Sequence, residues 1–456
     1  MRTTINLICV YLSLLAAAPF YSCKKFIEVS PPVNQLNANN VFTDDKTATA
    51  AIIGIYSDME FSSPISTYLT LLQGLSADEL TSTSSDKGFF DFVTNTYLPN
   101  NRYSAIVWDI YSNVYEANSC IQGIQNSNGL SPGTKSQLLG EARFSRAFCY
   151  FYLVNLFGDV PLVTSTDYRV NDTLRRTASP LVYIQIITDL VIAQSLLSPG
   201  YPTDQRVRPN RWTSASLLAR VYLYTKKWAD AELQASSIIN SGLYTLSGLD
   251  SVFLNNSNET IWQLMPVSPN FNTQEAALFI PSSTTEIPAY PLTDDLFNAF
   301  EPGDNRIQAW TGSTAIGGQL YYYPAKYKII GGSPLSEYHI VFRLAEIYLI
   351  RAEARMQQGN TMGAIEDLNI IRSRARLPPL LPTLPPDRIA VAIQQERRIE
   401  LFAEFGHRWL DLKRTNTIDL VIGALKPAYW QPSHALWPVP QDQRSADPFL
   451  SQNAGY

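Results

Sequence analysis

The fold is decided by residues 338–376, YHIVFRLAEIYLIRAEARMQQGNTMGAIEDLNIIRSRAR, which predict two antiparallel helices joined by a tight turn. Apolar residues of the first half follow the i, i+3, i+4 spacing of one helical face: Val341, Leu344, Ala345, Tyr348 and Ala352. Gly359 and Asn360 end one helix and cap the next, because glycine adopts the left-handed C-terminal conformation easily and asparagine is a good N-cap. A second apolar face follows at Ala364, Ile365, Leu368 and Ile371.

A second stretch, residues 212–240, repeats this pattern upstream. Ala219 and Ala231 are twelve residues apart, as are Ala352 and Ala364, and small residues at these positions let two helices approach closely. The shared register predicts helix pairs of the tetratricopeptide type. Such pairs bury their apolar faces by stacking, and they usually hold partners rather than carry out chemistry.

The rest of the chain predicts an all-α-dominated fold, a helical scaffold with a large loop-rich insertion. Apolar periodicity predicts further helices at residues 43–57, 108–125, 136–157, 179–197 and 387–405. Residues 62–101 lose the helical period, and residues 244–336 are rich in Pro, Gly, Asn and Thr. We therefore expect a long loop in the first segment and irregular structure with a few short strands in the second.

Charge is sparse in this chain of 456 residues. Lys and Arg number 35 and Asp and Glu 40, so the formal charge is −5 and 16% of residues are charged, against about 25% in an average soluble protein. The apolar content of 45% is sufficient for a buried core. No basic stripe is present, so we expect no nucleic-acid partner.

The N-terminus predicts export and a lipid anchor. Arg2 precedes an apolar run at residues 5–18, which has the length of a signal peptide and is too short to span a membrane. The run leads to Ser22 and Cys23, a sequence similar to the lipobox of bacterial lipoproteins, although Phe20 stands where leucine is usual. We therefore predict a signal peptide at residues 1–22, acylation of Cys23 and a lipidated tether at residues 23–40. An ordinary secretory signal is the alternative.

Motifs for catalysis or metal binding are absent from the sequence. Three scattered histidines form no HExxH motif: His339, His407 and His434. Residues 129–136, GLSPGTKS, have three residues between the glycines, whereas a phosphate-binding loop needs four and a lysine directly after the second glycine. Cys120 and Cys149 lie on apolar helical faces, which predicts free buried thiols. We expect no catalytic residue, no cofactor and no metal.

Residues 396–414, ERRIELFAEFGHRWLDLKR, alternate charged and aromatic residues. Glu404 and Arg408 are four residues apart and are predicted to pair on one helical face. A helix fixed onto its neighbours is the favoured interpretation, and a ligand site is the alternative. The buried side of that helix is predicted to contain Ile399, Phe402, Ala403 and Trp409.

Seven stretches together resemble the SusD/RagB family of outer-membrane lipoproteins. They are CKKFIE after the signal, GEARFSRAFCYFYLVNLFGDVPL, RWTSASLLARVYLY, AFEPGDNR, FRLAEIYLIRAEA, ERRIELFAEFGHRWLDLKR and LWPVPQDQRSADPFLSQNAGY. They occur in the family's order and are distributed over nearly the whole length of the chain. Lys24 and Lys25 depart from the acidic residues that often follow the lipidated cysteine of surface-exported relatives.

The resemblance implies about four tetratricopeptide-like helix pairs packed against loop-rich ligand-binding parts. Residues 41–456 then form one SusD-like domain. Its scaffold comprises residues 41–61, 104–240 and 338–415, and its ligand-binding parts comprise residues 62–103 and 244–336. The implied role is non-enzymatic. A protein lipid-anchored in the outer membrane and facing the cell exterior captures an oligosaccharide for a TonB-dependent, SusC-like transporter.

Three alternatives stay open on the sequence. Some relatives of this family serve peptide uptake, so the ligand could be a peptide instead of a sugar. A secreted glycan-degrading enzyme with a helical scaffold is a second alternative, although no paired-carboxylate motif supports it. A purely structural helical adaptor is the third, but such an adaptor does not require aromatic-rich loops.

A glycan site needs exposed aromatic rings that stack on sugar faces and polar groups that bind hydroxyls. Two stretches offer both. Residues 85–101 supply Phe89, Phe90, Tyr97, Asn100 and Asn101. Residues 290–323 supply Tyr290, Trp310, Tyr321, Tyr322 and Tyr323. Trp310 is the first candidate because it has the largest ring and lies in a turn-rich segment. The competing interpretation is that these rings belong to the core.

Overall fold

Helices dominate the computed structural model, which describes residues 41–62 and 64–456. The first helices are α1 (Asp45–Phe61), α2 (Ile65–Ser76), α3 (Lys87–Thr94), α4 (Arg102–Trp108), α5 (Ile110–Asn126) and α6 (Pro132–Phe157). Then follow α7 (Tyr168–Asn171), α8 (Ser179–Leu196), α9 (Arg211–Tyr224), α10 (Trp228–Asn240), α11 (Gln274–Phe279), α12 (Asp294–Asn298) and α13 (Arg306–Trp310). The last are α14 (Leu344–Gln357), α15 (Thr361–Arg374), α16 (Pro386–Glu400), α17 (His407–Arg414), α18 (Ile418–Leu425) and α19 (Gln441–Ala446). Residues Phe42–Tyr456 form one compact unit.

Four helix pairs stack in sequence and confirm the predicted scaffold. The pairs are α1 with α5, α6 with α8, α9 with α10, and α14 with α15. Each pair packs on the next, because α5 contacts α6, α8 contacts α9 and α10 contacts α14. The two hairpins recognised from the sequence are therefore neighbours in space. Their four alanines, Ala219, Ala231, Ala352 and Ala364, are fully buried where the helices meet.

Helix α8 is apolar on its outer side as well as its inner side. Within residues 41–62 and 64–456 it is the one helix that length and composition would allow to cross a membrane, and 28% of it is buried. It packs between α6 and α9 as a member of the stack. Its exposed side carries Leu181, Ile184 and Val191. This side is unusually apolar for a scaffold helix in contact with water.

Three two-stranded antiparallel sheets complete the elements: β1 (Val160–Pro161) with β2 (Arg176–Thr177), β3 (Thr260–Leu264) with β6 (His339–Arg343), and β4 (Thr311–Ile316) with β5 (Gln319–Pro324). The few short strands predicted for the insertion are thus confirmed. The turn between β4 and β5 consists of Gly317 and Gly318, whose φ angles are 60° and 84°. Both angles are positive, as a two-residue hairpin turn requires.

The prediction that the helix of residues 338–376 begins at its first residues was wrong. Strand β6 occupies His339–Arg343 and pairs with β3, and α14 begins only at Leu344. All five residues of β6 are buried. A strand buried on both faces has a continuous apolar run instead of an alternating one, so its pattern resembles that of a buried helix.

Half of the segment predicted as a loop, residues 62–101, is helical. It contains α2 and α3, and α4 begins at its end. Helix α2 is buried on nearly every side, so it has no polar stripe from which a helical period could be recognised. Helix α3 has eight residues, which is too few for periodicity to stand out.

Buried ion pairs join the insertion to the scaffold. The Arg343 guanidinium lies 2.5 Å from Glu400, 2.7 Å from Glu404 and 2.9 Å from Glu259. Lys326, directly after β5, lies 2.5 Å from Glu404. These side chains come from the insertion, from β6, from the end of α16 and from the turn that follows α16, so the cluster fixes their relative positions.

The predicted Glu404–Arg408 pair does not form. Glu404 binds Arg343 and Lys326, whereas Arg408 binds Asp78 through two contacts of 2.8 Å. The reason is that α16 ends at Glu400 and α17 begins only at His407. The two residues are therefore not on one helix. The predicted burial of Ile399, Phe402, Ala403 and Trp409 is confirmed.

Cys120 and Cys149 are buried and free, as predicted. Burial raises the pKa of the Cys120 thiol to about 12 and also raises that of Cys149. At residues 129–136 the side chain of Asp45 accepts hydrogen bonds from the Ser131 amide at 2.8 Å and the Thr134 hydroxyl at 2.9 Å. A carboxylate thus occupies the start of α6, which agrees with a helix-linking turn and not a phosphate loop. The predicted signal peptide, Cys23 and the tether lie outside the described residues.

Candidate functional site

Helix α3 lies at the centre of the candidate site and is held at both ends by local hydrogen bonds. The Asp86 carboxylate accepts from the Gly88 amide at 2.9 Å and caps the N-terminus. Asn95 ends the helix in the left-handed conformation, with φ at 57°. The side-chain amide of Asn101 donates to the Gly88 carbonyl at 3.1 Å and to Asp91 at 3.0 Å. The eight-residue helix is thereby fixed in place although it is too short to be stable alone.

The inner side of α3 joins a cluster of rings. Phe89 stacks on Tyr103 with centroids 4.1 Å apart and contacts the edge of Tyr290 at 5.3 Å. Tyr68 from α2 packs on Tyr103 at 5.5 Å. The cluster therefore unites rings from α2, α3, α4 and the insertion. Stacked and edge-on rings at these distances stabilise each other beyond the area that they bury.

Backbone hydrogen bonds bring the two predicted stretches side by side. The Thr81 amide donates to the Pro291 carbonyl at 2.9 Å, and the Leu292 amide donates to the Tyr322 carbonyl at 2.8 Å. Residues 80–83 and 289–293 thus extend the β4–β5 hairpin. Tyr322 stacks on Phe297 at 3.7 Å beside this junction.

A charged pair lies beside the rings. Asp86 accepts a hydrogen bond from the Tyr103 hydroxyl at 2.6 Å and pairs with the exposed guanidinium of Arg102. The Tyr103 hydroxyl and the Gly88 amide lower the pKa of Asp86, and burial raises the pKa of Tyr103 to about 12. At neutral pH the pair therefore presents a carboxylate and a guanidinium. We call the surface made of Asp86, Phe90 and Arg102 the α3 face.

Five predicted residues belong to this region, but only one presents an open ring. Phe90 projects from α3 with 52% of its surface exposed, and Tyr322 is half-buried against Phe297. Three residues are buried and support the α3 face instead of facing solvent: Phe89, Tyr290 and Asn101.

Tyr97 and Trp310 are not exposed ligand rings, and this corrects the prediction for both. The Tyr97 hydroxyl donates to the His434 carbonyl at 2.5 Å inside the core. Trp310 is fully buried, and its indole donates to the Leu249 carbonyl at 3.0 Å. The ammonium of Lys326 lies 4.7 Å from the Trp310 ring centroid. The Trp310 ring therefore packs against the buried ion cluster.

The sequence reasoning missed Asp86, Arg102, Tyr103, Tyr68 and Phe297. The signal for the first three lay at the edges of the predicted stretch, where aspartate and asparagine occupy helix N-cap positions. If Asp86 and Asn101 are interpreted as N-caps, a short helix is predicted after each of them. Tyr103 then lies in the first turn of the second helix, where it can pack on its buried side. Tyr68 and Phe297 carried no such signal, because their partners are distant in sequence.

The three histidines do not form a reactive centre. His339 is buried 3.3 Å from Glu275 and 3.8 Å from Glu60. Burial opposes its charge, but these carboxylates raise its pKa to about 10. Burial and the nearby Arg220 lower the pKa of His407 instead. In the described part of the chain, no group of three His, Cys, Asp or Glu side chains is arranged to hold a metal ion.

The chain matches two family models. Residues 25–223 match a model described as "Starch-binding associating with outer membrane", and residues 297–456 match the SusD family model. The two matches flank the irregular part of the insertion. Together they include α3, α4 and the helices of the stack except α10, which lies between the two matches.

Relatives extend the match along the whole length. A SusD-like protein of Formosa agariphila is 24% identical over 98% of this chain and 99% of its own. The starch-binding protein SusD of Bacteroides thetaiotaomicron is 24% identical over 73% of this chain and 75% of its own. The solved structure of surface glycan-binding protein A from Bacteroides fluxus is 22% identical, covers 90% of this chain and 99% of its own, and has a TM-score of 0.75. Motifs, fold and family models agree, and the chain belongs to the SusD/RagB family.

Proposed function

We propose that the protein is a non-enzymatic binding protein that captures an oligosaccharide at the outer membrane and passes it to a TonB-dependent transporter. The observation that carries the proposal is the α3 face, where an open phenylalanine ring projects from α3 and the charged pair of Asp86 with Arg102 of α4 lies at the N-terminus of that helix. Sugar rings combine flat C–H faces with hydroxyl edges. A ring beside a carboxylate and a guanidinium matches both features.

The rigid support of the α3 face favours binding. The packed rings of Phe89, Tyr103 and Tyr290 hold α3 in position on its buried side. A preorganised ring loses little freedom when a ligand arrives. Two relatives are described by carbohydrate binding, the starch-binding protein SusD and surface glycan-binding protein A.

The burial of the adjacent acidic pair Asp78 and Glu79 supports a role without turnover. A glycosidase needs two carboxyl groups on either side of the scissile bond. The adjacent pair Asp78 and Glu79 is buried, and Asp78 is engaged by Arg408 and Arg398. Burial and the charge of Asp78 raise the pKa of Glu79 to about 8, but a substrate has no path to either group.

Replacing Phe90 by alanine should weaken glycan binding by about 1–3 kcal/mol, the effect of losing one principal contact. The melting temperature should stay nearly unchanged, because Phe90 is more than half exposed and α3 is held by other residues. Calorimetric titration against a panel of soluble oligosaccharides measures the first quantity. Thermal unfolding measures the second.

Phe449→Ala is the matched control. Phe449 is 44% exposed and packs on Arg175 near the C-terminus. It should leave the affinity unchanged. Equal affinities for the wild type and Phe90→Ala would remove the α3 face from the proposal. Binding of peptides but of no oligosaccharide would favour peptide uptake.

We further propose that acylated Cys23 anchors the chain, facing the cell exterior, and that the outer side of the helix stack contacts the transporter. The exposed apolar residues Leu181 and Ile184 of α8 support this surface.

A tagged chain purified from native membranes should carry fatty acyl groups and bring down a larger membrane protein. Leu181→Glu with Ile184→Glu should reduce that recovery, whereas Leu420→Glu, an exposed leucine on α18, should not. Recovery of a chain without fatty acyl groups would contradict the lipid anchor, and recovery of the chain without a larger membrane protein would contradict the contact with the transporter.

A further inference from the structure

A half-open pocket of about 440 Å³ lies where residues 248–250, α13 and the end of α15 meet. Its walls are fixed by two hydrogen bonds. The Trp310 indole donates to the Leu249 carbonyl at 3.0 Å, and the Asn305 amide donates to the Ala375 carbonyl at 3.1 Å. The volume falls in the range of small-molecule sites, about 300–1,000 Å³. None of its lining residues belongs to the α3 face.

Arg376 lines this pocket from an unfavourable backbone position. It ends α15 with φ at 62°. The Leu377 amide donates to the Arg372 carbonyl at 2.9 Å across this turn. Glycine is the favoured residue at such a helix end, because a Cβ in the left-handed conformation crowds the backbone. The exposed Arg376 side chain has no hydrogen-bond or ion-pair partner in the described ranges, so its guanidinium is available to a ligand.

Arg374 lines the pocket with a buried guanidinium whose charge is balanced by two glutamates. Its side chain is 8% exposed. One end of the guanidinium binds Glu259 at 2.5 Å and the other binds Glu400. The Nε–H is buried and has no hydrogen-bond partner. This donor is therefore free to bind a group that enters the pocket.

The remaining polar groups of the pocket favour a hydroxylated anion. Asn305 and Gln308 line it with side-chain amides that form no hydrogen bond to any described residue. The one acidic lining residue, Asp250, lies 3.3 Å from the ammonium of Lys328, which offsets its charge. The carboxylates on Arg374 likewise balance that cation. Arg376 is thus left as the uncompensated charge at the rim.

We propose that this pocket binds the acidic group of a charged sugar, a uronate carboxylate or a sulfate ester. The planar guanidinium of Arg376 matches either oxyanion through paired N–H donors. The two amides donate to and accept from sugar hydroxyls. The sugar part of this inference rests on the proposed function, whereas the anionic part rests on the pocket alone. The protein would then distinguish acidic from neutral glycans at a position separate from the α3 face.

Ligand-observed NMR of the full chain at low salt tests the proposal with D-glucuronate, D-glucose 6-sulfate, D-glucose and acetate. At least one acidic sugar should bind, more tightly than both glucose and acetate. Arg376→Gln should weaken that binding about tenfold, as expected for a charged hydrogen-bonding pair. Added NaCl should weaken it too, because the rim charge is exposed. The variant should fold normally, since the side chain has no partner to lose.

Arg388→Gln is the control, because Arg388 is an exposed arginine of α16 away from the pocket. It removes the same charge and should leave the affinity unchanged. Acetate bound as tightly as glucuronate, or equal losses in both variants, would show a general anion effect and overturn the proposal. Absence of acidic-sugar binding while Phe90-dependent glycan binding persists would overturn this inference alone. If the wild-type chain bound no glycan at all, the proposed function itself would be refuted.

Discussion

Replacing Trp310 by alanine is expected to lower the free energy of unfolding by about 3–5 kcal/mol, the usual effect of truncating a buried tryptophan. The ring is fully buried, contacts the edge of Phe253 at 5.7 Å and lies 4.7 Å from the Lys326 ammonium. Its removal leaves a cavity beside buried charges. The Leu249 carbonyl also loses its donor.

Denaturant unfolding of Trp310→Ala and Trp310→Phe measures this effect. Phenylalanine keeps most of the apolar volume and the ring above Lys326, so it should lose clearly less stability than alanine. Binding to the α3 face should be retained by whatever fraction stays folded. An alanine variant with unchanged stability and weakened glycan affinity would show that Trp310 contacts the ligand after all.

Replacing Arg343 by methionine is the second change with a large expected effect. Glu259, Glu400 and Glu404 would lose their shared partner in a buried site. Each glutamate keeps another cation, Arg374 for Glu259 and Glu400 and Lys326 for Glu404, but the cluster loses one of its positive charges. Removing one member of a buried ion pair typically costs about 3–5 kcal/mol. Methionine has a similar length, so the loss of charge dominates over the loss of volume. Chemical unfolding at neutral pH should show this deficit.

The matched control is Arg169→Met. Arg169 also pairs with an aspartate, Asp167, but its side chain is 74% exposed. Exposed pairs contribute little because water screens them. This variant should therefore unfold almost as the wild type does. Comparable destabilisation by the two substitutions would show that burial does not set the strength of the Arg343 cluster.

Lowering the pH should reduce the difference in the free energy of unfolding between Arg343→Met and the wild type. Burial alone would raise the pKa of Glu400, but Arg374 and Arg343 lower it below the ordinary value of 4.5. A carboxyl with a lowered pKa stabilises the fold above about pH 4.5, and this contribution disappears as the pH falls through the folded-state pKa. Arg343 also lowers the pKa of Glu404, so without Arg343 Glu400 and Glu404 protonate more readily. The stability difference should therefore be largest at neutral pH and shrink below about pH 4.5.

The scaffold could be predicted from the sequence because its signals are local. The apolar periodicity in residues 338–376 and 212–240 identified α14 with α15 and α9 with α10, and the shared alanine spacing predicted their stacking. Buried Cys120 and Cys149 followed from their positions on apolar faces. Each of these conclusions depended on neighbours within one helical hairpin.

The candidate site was harder to predict because its contacts are distant in sequence. Phe90 and Phe89 are adjacent and chemically alike, and only the direction of α3 exposes one and buries the other. The burial of Trp310 depends on Leu249 and Lys326. In the sequence these residues are aromatic and lie in segments rich in turn-forming residues. An exposed ligand site has the same composition, so composition does not distinguish a buried ring from a ligand-binding one.

The central claim is that the protein binds a glycan without cleaving it. The most direct measurement titrates the purified wild-type chain with an oligosaccharide panel and follows the chain length of the bound sugar over time. We expect saturable binding, loss of affinity in Phe90→Ala and recovery of the ligand intact. Steady release of shorter sugars at catalytic amounts of protein, or saturable binding of no member of the panel, would contradict the claim.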